Sequence, residues 1–343
     1  MSRTYQGSII SKTPITPAGP YQCGAASGVW TIDQMVGWQK AGLWPTAGNA
    51  IPVGTFGIFA LGLASNGSST TTRNKYTFSG CVNASATAAT AASYAGSAAG
   101  NSTVGIFALG YIASPCGPST TRDKYTYINC SVSSGTAATC ASYRGAATGN
   151  STVGIFALGY NASSTPLTTR NKYTYSGCVV SSASASTTAS INGAATGNST
   201  FGIFAIGFSS ITRNKYTYSG DINVSATSSF ATSSLGTATG NCAVGIFALG
   251  TSCGVISPTR NKYTYSGCVN ASGTAASTGS RCQSAAGNST VGIFALGFLC
   301  TGVYSSTRNK YTYSGDTNAI GTSATAAARG GAAASNGTTG VNV

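Results

Sequence analysis

The residues with the clearest chemical potential are six Arg-x-Lys pairs, each inside a nonapeptide close to TRNKYTYSG. If this segment is a strand, side chains two residues apart point to the same face, so both cations of a copy share one side. Six such pairs could bind sulfate, phosphate or carboxylate groups through many weak contacts that add up to a useful avidity. The predicted ligand-binding residues are Arg73, Lys75, Arg122, Lys124, Arg170, Lys172, Arg213, Lys215, Arg260, Lys262, Arg308 and Lys310.

The same pairs also have a structural interpretation, in which they hold neighbouring repeats together. Arginine stacks on aromatic rings, and its planar fork donates several hydrogen bonds to carbonyl oxygens. Under this interpretation, partner specificity comes from the loops that precede the motif, such as residues 161–168 and 251–258, which differ between copies. The sequence leaves both interpretations open.

Most catalytic chemistry is excluded by composition. The chain has no His, which removes Ser-His-Asp and Cys-His nucleophilic sites. Its acidic residues are Asp33, Asp123, Asp221 and Asp316, and repeat spacing separates them, whereas a glycosidase needs two carboxylates at one bond. We therefore predict no enzyme activity, no catalytic residue, no cofactor and no metal site. Asp123 stands where the other copies have Asn, which we interpret as drift.

Charge and hydrophobicity restrict the partners. The net charge is +14, and the motif supplies twelve of the eighteen basic residues, evenly spaced along 343 residues. Nucleic-acid-binding proteins usually cluster their basic residues on one helix or groove, so we predict no nucleic acid partner. No apolar run approaches 18 residues, which predicts no membrane insertion, and the N-terminus lacks a secretory signal pattern.

The eleven cysteines suggest a turn position and two possible disulfides. Six equivalent repeat positions hold Cys81, Cys130, Cys178, Asp221, Cys268 and Asp316. A position that accepts either Cys or Asp is typical of a small, partly exposed turn or strand site, and no CxxC or His supports zinc. Cys130 with Cys140, and Cys268 with Cys282, are candidate bridges between neighbouring strands.

A repeat of about 48 residues defines the architecture. GIFALG (once GIFAIG) precedes every TRNKYT segment (once TRDKYT), and four copies open with GNST. The apolar block predicts a strand buried on both faces, TRNKYTYS alternates with period two, and the Ala/Ser/Thr-rich segments on either side could supply two more strands. Gly-Asn predicts a hairpin turn. The chain is therefore predicted to be all-β, with four short strands per repeat.

The order of these blocks resembles the kelch repeat, in which an apolar strand ends in glycine, a variable loop follows, and the next strand carries Tyr. The resemblance covers residues 50–343 and implies a six-bladed kelch-like β-propeller with a short non-repeat N-terminal segment. Kelch blades usually end the apolar strand in a glycine pair and carry a later Trp, and both are missing here. A parallel β-solenoid is the alternative, although its repeats are usually shorter.

Two further segments complete the predicted organisation. Residues 331–343 form an imperfect copy of GAATGNSTVGIF, so we predict that they close the ring against the repeat that contains residues 57–62. Residues 51–343 are thus the propeller, and residues 1–50 form a linker followed by a Trp-rich segment. This segment, SGVWTIDQMVGWQKAGLWP, predicts a short helix that ends before Pro45.

The Trp-rich segment resembles one found in tailed-bacteriophage virion proteins, through Gly28, Val29, Trp30, Gln34, and Trp44 with Pro45. The resemblance implies virion docking through Trp30, Trp38 and Trp44; alternatively, these tryptophans plug the propeller or cap its first blade. It implies a non-enzymatic virion protein made in the host cytoplasm, namely a homo-oligomeric tail-fibre or receptor-binding propeller. This propeller would contact other virion proteins through residues 1–50 and attach to an anionic host surface glycan, one that is sulfated, phosphorylated or carboxylated. A capsid or surface-assembly decoration protein and a bacterial or algal adhesin are the alternatives.

Overall fold

A computed structural model describes residues 54–337 and, in the N-terminal segment, Thr31, Asp33, Gln34, Val36 and Gly37. The chain divides into two units, Met1–Pro52 and Val53–Val343. In the first unit, Asp33, Gln34, Val36 and Gly37 are helical. The Thr31 hydroxyl accepts a hydrogen bond from the Gln34 amide, and the Gln34 side chain accepts one from the Thr31 amide, a reciprocal helix cap. Trp30, Trp38 and Trp44 lie outside the described residues, so virion docking through them stays a prediction.

The second unit is all-β within its described residues, as predicted, and contains six four-stranded antiparallel sheets. We number them in the order of their second strands. The innermost strands of sheets 2 to 6 and then of sheet 1 are Ser97–Gly100, Ala146–Gly149, Ala194–Gly197, Thr237–Gly240, Ser284–Gly287 and Ala332–Ser335. The second strands are Phe56–Ala60, Val104–Ala108, Val153–Ala157, Phe201–Ala205, Val244–Ala248 and Val291–Ala295. The antiparallel pairing excludes the alternative of a parallel solenoid.

The R-x-K motif forms the third strand of every sheet, and a polar strand forms the outer edge. The third strands are Arg73–Thr77, Arg122–Thr126, Arg170–Thr174, Arg213–Thr217, Arg260–Thr264 and Arg308–Thr312. The outer strands are Val82–Ala86, Ser131–Gly135, Val179–Ala183, Ile222–Ala226, Val269–Gly273 and Thr317–Gly321. A 3-10 helix, Ser266–Cys268, precedes one outer strand.

Eleven two-residue strands connect the loops outside the sheets. They are Leu63–Ala64, Ser93–Tyr94, Tyr111–Ile112, Gly117–Pro118, Ser142–Tyr143, Tyr160–Asn161, Thr251–Ser252, Val255–Ile256, Ser280–Arg281, Phe298–Leu299 and Ala328–Arg329. We call the segment from one outer strand to the innermost strand of the next sheet a crossover. Several of the short strands pair a crossover with the loop that follows the second strand of that next sheet, as Ser93–Tyr94 pairs with Tyr111–Ile112.

The hydrophobic core lies between neighbouring sheets. One cluster joins Ala99 and Ile106 of sheet 2 to Phe156, Tyr173 and Tyr175 of sheet 3, and equivalent clusters follow around the molecule. Both faces of each second strand are therefore covered, which explains why its residues alternate little in polarity. The predicted buried apolar strand and the predicted Gly-Asn hairpin are both confirmed.

The two ends of the second unit meet in one sheet. Ala332–Ser335 pairs antiparallel with Phe56–Ala60, with Ala333 opposite Phe59. Asn336 then repeats what the GNST asparagine does elsewhere: its side-chain oxygen accepts a hydrogen bond from the Phe56 amide at 3.0 Å, as Asn101 accepts one from Val104 at 2.9 Å. The segment near the C-terminus thus supplies the innermost strand of sheet 1, whose other three strands come from the first repeat.

Six residues in the crossovers form a closed ring of backbone hydrogen bonds, which we call the amide ring. Each donates its N–H to the carbonyl of the preceding member, at 2.6–2.9 Å, and the first donates to the last. All have a left-handed backbone, with φ between 52° and 64°. The members are Ala95, Arg144, Asn192, Leu235, Cys282 and Gly330. The innermost strands contact one another in the same cyclic order.

The glycine that ends each GIFALG block leaves room for this ring. Gly110 has φ of 73°, and a Cβ there would lie 2.5 Å from the Ala95 carbonyl oxygen. Gly159 repeats this with φ of 78° and a 2.3 Å approach to the Tyr143 carbonyl. A side chain at either position would therefore push the crossover out of place.

The shared Cys/Asp position is the predicted turn site, and the predicted disulfides are wrong. Cys130 and Asp221 have φ of 52° and 56° in the turn before the outer strand. Cys130, Cys140, Cys268 and Cys282 are all free thiols. The reason is topological, because in each pair one cysteine precedes the outer strand and the other follows it, at opposite ends of the sheet.

The two turn aspartates predict acid sensitivity. Burial by itself raises the pKa of Asp221, but hydrogen bonds from the Ser184 amide and the Tyr216 hydroxyl, with the charge of Lys172, leave the pKa lowered. Burial likewise raises the pKa of Asp316, but hydrogen bonds from the Tyr311 hydroxyl and the Thr274 amide, with the charge of Lys262, outweigh this effect. The pKa of Asp316 is therefore also lowered. A carboxylate with a lowered folded pKa stabilises the fold fully above its unfolded value of about 3.9, and this contribution is lost as pH falls through the folded pKa.

We therefore expect the melting temperature to fall as the pH drops below about 4. The double variant Asp221→Asn with Asp316→Asn should lose part of this slope, because its turn amides do not titrate. Differential scanning calorimetry between pH 2 and 7 measures both curves. Equal slopes for the two proteins would show that these carboxylates do not contribute.

In the part of the chain that the structure describes, no helix is long and apolar enough to cross a membrane. The same part holds no group of three or more His, Cys, Asp or Glu side chains arranged to bind a metal ion.

Candidate ligand-binding face

The six motif arginines are buried, with at most 1% of each side chain's surface exposed. They are held between sheets because the third strand is covered on both faces. Burial lowers the pKa of Arg122, Arg170, Arg213, Arg260 and Arg308 to about 10, which still leaves them charged at neutral pH. The predicted anion-binding stripe therefore does not present these guanidinium groups to solvent.

Each motif arginine instead contacts the next sheet. The Arg170 guanidinium lies 4.4 Å from the ring centroid of Phe204 and donates to Asn214 at 3.2 Å and to Asn223 at 2.7 Å. The series closes on itself, because Arg308 lies over Phe59 at 4.7 Å and donates to Asn74 at 3.2 Å. These are the contacts that the structural interpretation of the motif describes.

One of these contacts is a buried ion pair. Arg73 donates to Asp123 at 2.7 Å, and both side chains are fully buried. Asp123 also accepts a hydrogen bond from the Thr90 amide at 3.0 Å. The Asp123 carboxylate thus binds the guanidinium at the place where the other sheets use an Asn amide.

The six motif lysines are half-buried, and five of them extend towards the Cys/Asp turn of the next sheet. Lys124, Lys215 and Lys310 lie 3.5–3.9 Å from the sulfur of Cys178, Cys268 and Cys81. Lys262 lies 3.7 Å from Asp316, and Lys172 acts on Asp221. Lys75 lies over Phe56 at 4.1 Å. These lysines are thus close to protein partners rather than grouped as one open patch.

The sheets have two different ends. At the turn end, one turn connects the innermost strand to the second strand, and another connects the third strand to the outer strand. In sheet 2 these turns follow Gly100 and Thr126. At the loop end, the second strand ends and the innermost strand begins, as at Ala108 and Ser97. The variable loops and the amide ring both belong to the loop end, which makes this end the candidate ligand-binding face.

A row of four tyrosines, which we call the tyrosine ladder, lies on this face. Tyr94 and Tyr143 come from crossovers, and Tyr111 and Tyr160 from the loops after GIFALG. Successive ring centroids are separated by 5.2, 5.6 and 5.4 Å in the order Tyr94, Tyr111, Tyr143, Tyr160. All four side chains are partly exposed. A hydrogen bond with Cys116 raises the pKa of Tyr111, so its hydroxyl stays protonated and able to donate.

The three basic residues of the described chain that lie outside the motif also belong to this face: Arg144, Arg281 and Arg329. The guanidinium carbons of Arg281 and Arg329 lie 5.1 and 5.4 Å from the ring centroid of Phe298. Burial raises the pKa of the Cys282 thiol, and the charges of Arg329, Arg281 and Arg144 oppose that rise. All three cations therefore act on this one sulfur.

A cavity of about 270 Å³ lies inside the innermost strands. Small side chains such as Ala98, Ala147 and Ala195 form its wall, because six strands crowd together there. Its lining includes the amide-ring residues and the three arginines of the loop end. Within residues 54–337 the acidic residues are Asp123, Asp221 and Asp316, and none of them lines the cavity.

Sequence reasoning found the variable loops of this face but missed the ladder and the three arginines. A signal was present, since the crossover segments read SYAG, SYRG, SING, SSLG, SRCQ and ARGG in otherwise similar repeats. Side chains that differ at one repeated position cannot all serve the same packing role. Their variation marks a place where the repeats diverge.

Comparison with known proteins supports the fold. No protein-family model matches the chain, and no curated protein matches it in sequence. Among solved structures, YjhT, a chain of β-propeller type, is similar with a TM-score of 0.62 and 10% sequence identity. The match covers 79% of this chain and 98% of YjhT. At this identity the likeness concerns the fold alone, and it agrees with an all-β chain of β-propeller type.

Proposed function

We propose that residues 54–337 form a closed, six-bladed, kelch-like β-propeller whose loop end binds a ligand. The closed amide ring, the cyclic contacts of the innermost strands and the pairing of Ala332–Ser335 with Phe56–Ala60 support six blades. The rigid ring keeps the crossovers and loops of the loop end at fixed positions, as a binding surface requires.

The ligand class follows from the tyrosine ladder, which carries this proposal. Four partly exposed aromatic rings in contact form a continuous apolar surface with hydroxyl groups at its edge. Tyrosine offers large contact area at low conformational-entropy cost, together with a hydrogen-bonding tip. Such a surface suits a sugar chain, whose rings have apolar faces and polar edges. We therefore infer a non-enzymatic, glycan-binding protein.

The biological setting that fits the whole chain best is attachment of a bacteriophage to its host. The bacteriophage resemblance of residues 28–45 supports docking of residues 1–50 to other virion proteins, with the propeller as a homo-oligomeric receptor-binding component of the tail. A capsid decoration protein or an adhesin would use the same propeller with a different partner for residues 1–50.

Binding to immobilised glycans tests the proposed function. The variant Tyr143→Ala removes a ring that contacts both Tyr111 and Tyr160, and we expect it to weaken glycan binding by about tenfold or more. The matched control is Phe208→Ala, which removes an exposed aromatic ring from the loop after Phe201–Ala205, outside the ladder, and should retain binding. Equal binding by wild type and Tyr143→Ala, or no binding by any protein on a broad glycan array, would contradict the proposal.

A further inference from the structure

We propose that the cavity within the innermost strands holds an anion-binding site, formed by Arg144, Arg281 and Arg329, for the acidic group of a carboxylated or sulfated sugar. This inference rests on the proposed function for the identity of the ligand, but its chemistry is argued from the cavity alone. The site is separate from the R-x-K motif, whose arginines are buried between sheets.

The three arginines have no acidic partner. The ion pairs in the described part of the chain are Arg73 with Asp123 and Lys262 with Asp316, and neither involves the cavity. The Nε of Arg281 is buried without a hydrogen-bond partner. Guanidinium groups present several donors in a planar fork that matches carboxylate, sulfate and phosphate oxygens. An anion entering the cavity would therefore satisfy donors that the protein leaves unpaired.

Gln283 adds a second, independent observation. It lines the cavity, only 7% of it is exposed, and its side-chain oxygen is buried without a partner, while its nitrogen donates to the Ser280 carbonyl at 2.7 Å. Buried amide oxygens without partners are uncommon, because leaving one unsatisfied costs free energy. A hydroxyl of the sugar that carries the acidic group would satisfy this oxygen.

The repeat symmetry is broken at this site. The positions equivalent to Gln283 are glycines in the other five repeats, where a Cβ would lie 2.0–2.5 Å from a backbone carbonyl oxygen. One repeat nevertheless carries a long polar side chain there, next to Arg281 and Cys282. A packing role shared by all repeats does not explain this departure, whereas a ligand that contacts one side of the cavity does.

The size of the cavity fits one small ligand. Its volume of about 270 Å³ lies near the lower limit of typical ligand pockets. The wall of small side chains supplies shape, and the arginines supply charge at the loop end. A sugar chain lying on the tyrosine ladder could thus place one acidic residue at the cavity.

Titration calorimetry with sulfate, inorganic phosphate and acetate tests the anion site without a glycan. We expect wild type to bind at least one of these anions, and the double variant Arg281→Gln with Arg329→Gln to bind it at least about tenfold more weakly. Arg144→Gln provides a second variant at an exposed position of the cavity lining, and it should also bind the anion more weakly than wild type. The matched control is Lys124→Gln, which removes a positive charge from another part of the sheets and should bind like wild type.

A second arm uses matched oligosaccharides, one ending in a carboxylated or sulfated sugar and one neutral. Wild type should prefer the acidic form, the double arginine variant should lose that preference, and Tyr143→Ala should weaken both forms while still binding the free anion. Equal anion binding by the double variant and Lys124→Gln overturns the anion site, as does no anion binding by wild type. If the anion site fails these tests but neutral glycans still bind, the proposed function is supported without the anion site. If anions bind but no glycan does, the anion site is supported and the proposed function is contradicted.

Discussion

Removal of residues 332–343 should lower the melting temperature by about 10 °C and produce a protein that self-associates. The deletion removes the strand Ala332–Ser335 and the hydrogen bonds that join Asn336 to Phe56 and to the amide of Gly54. Several hydrogen bonds of about 1 kcal/mol each are lost, and the buried alanines 332–334 no longer cover the neighbouring strands. Phe56–Ala60 becomes an exposed edge strand, which favours pairing with other chains.

Removal of residues 338–343 alone is the matched control, because it leaves the closing strand and Asn336 in place. Its melting temperature and its elution in size-exclusion chromatography should match those of the full chain. If the longer deletion also melts like the full chain and stays monodisperse, the strand pairing between the two ends does not hold the ring together.

The variant Asp123→Ala should destabilise the protein by about 3–5 kcal/mol, because it leaves the Arg73 guanidinium buried without its anionic partner. The Thr90 amide and hydroxyl lose their acceptor as well. The variant Asp123→Asn restores the residue that the other five sheets use and should cost less than about 1 kcal/mol. Chemical denaturation gives the free energy of unfolding for each protein.

The contrast between the two substitutions is the informative result. Arg122 donates to Asn171 and Arg213 donates to Asn261 in the same geometry, so an amide oxygen is sufficient for the guanidinium elsewhere in the ring. If Asp123→Asn destabilises as much as Asp123→Ala, the carboxylate is required and the asparagine contacts of the other sheets are not equivalent to it.

The all-β class, the four strands and the turn position could be predicted because each depends on local residue patterns. Period-two alternation, the apolar GIFALG block and the Gly-Asn turn are short-range signals, and six copies repeat them. The pairing of residues 332–335 with the first repeat could be predicted from the same repetition, because residues 331–343 copy the start of a repeat and the remainder of that repeat does not follow. In these respects the local patterns and the tertiary structure agree.

The orientation of the arginines depends on tertiary packing and was not accessible from alternation. A period-two pattern separates the two faces of a strand, but it does not show whether a face meets solvent or another sheet. Arg170 and Lys172 lie on the same side of their strand, and that side faces the next sheet, where Arg170 contacts Phe204 and Lys172 acts on Asp221. The tyrosine ladder and the cavity arginines were missed for a similar reason, since Tyr94 and Tyr111 are brought together only by pairing of a crossover with a loop.

The central claim is that the loop end of a closed propeller binds an acidic glycan. A structure of the protein with a carboxylated or sulfated oligosaccharide selected on a glycan array tests it most directly. We expect the sugar rings to lie on Tyr94, Tyr111, Tyr143 and Tyr160, with the acidic group within hydrogen-bonding distance of Arg281 or Arg329. An oligosaccharide bound at the turn end or along the outer strands, with the tyrosine ladder and the cavity uncontacted, would contradict the claim.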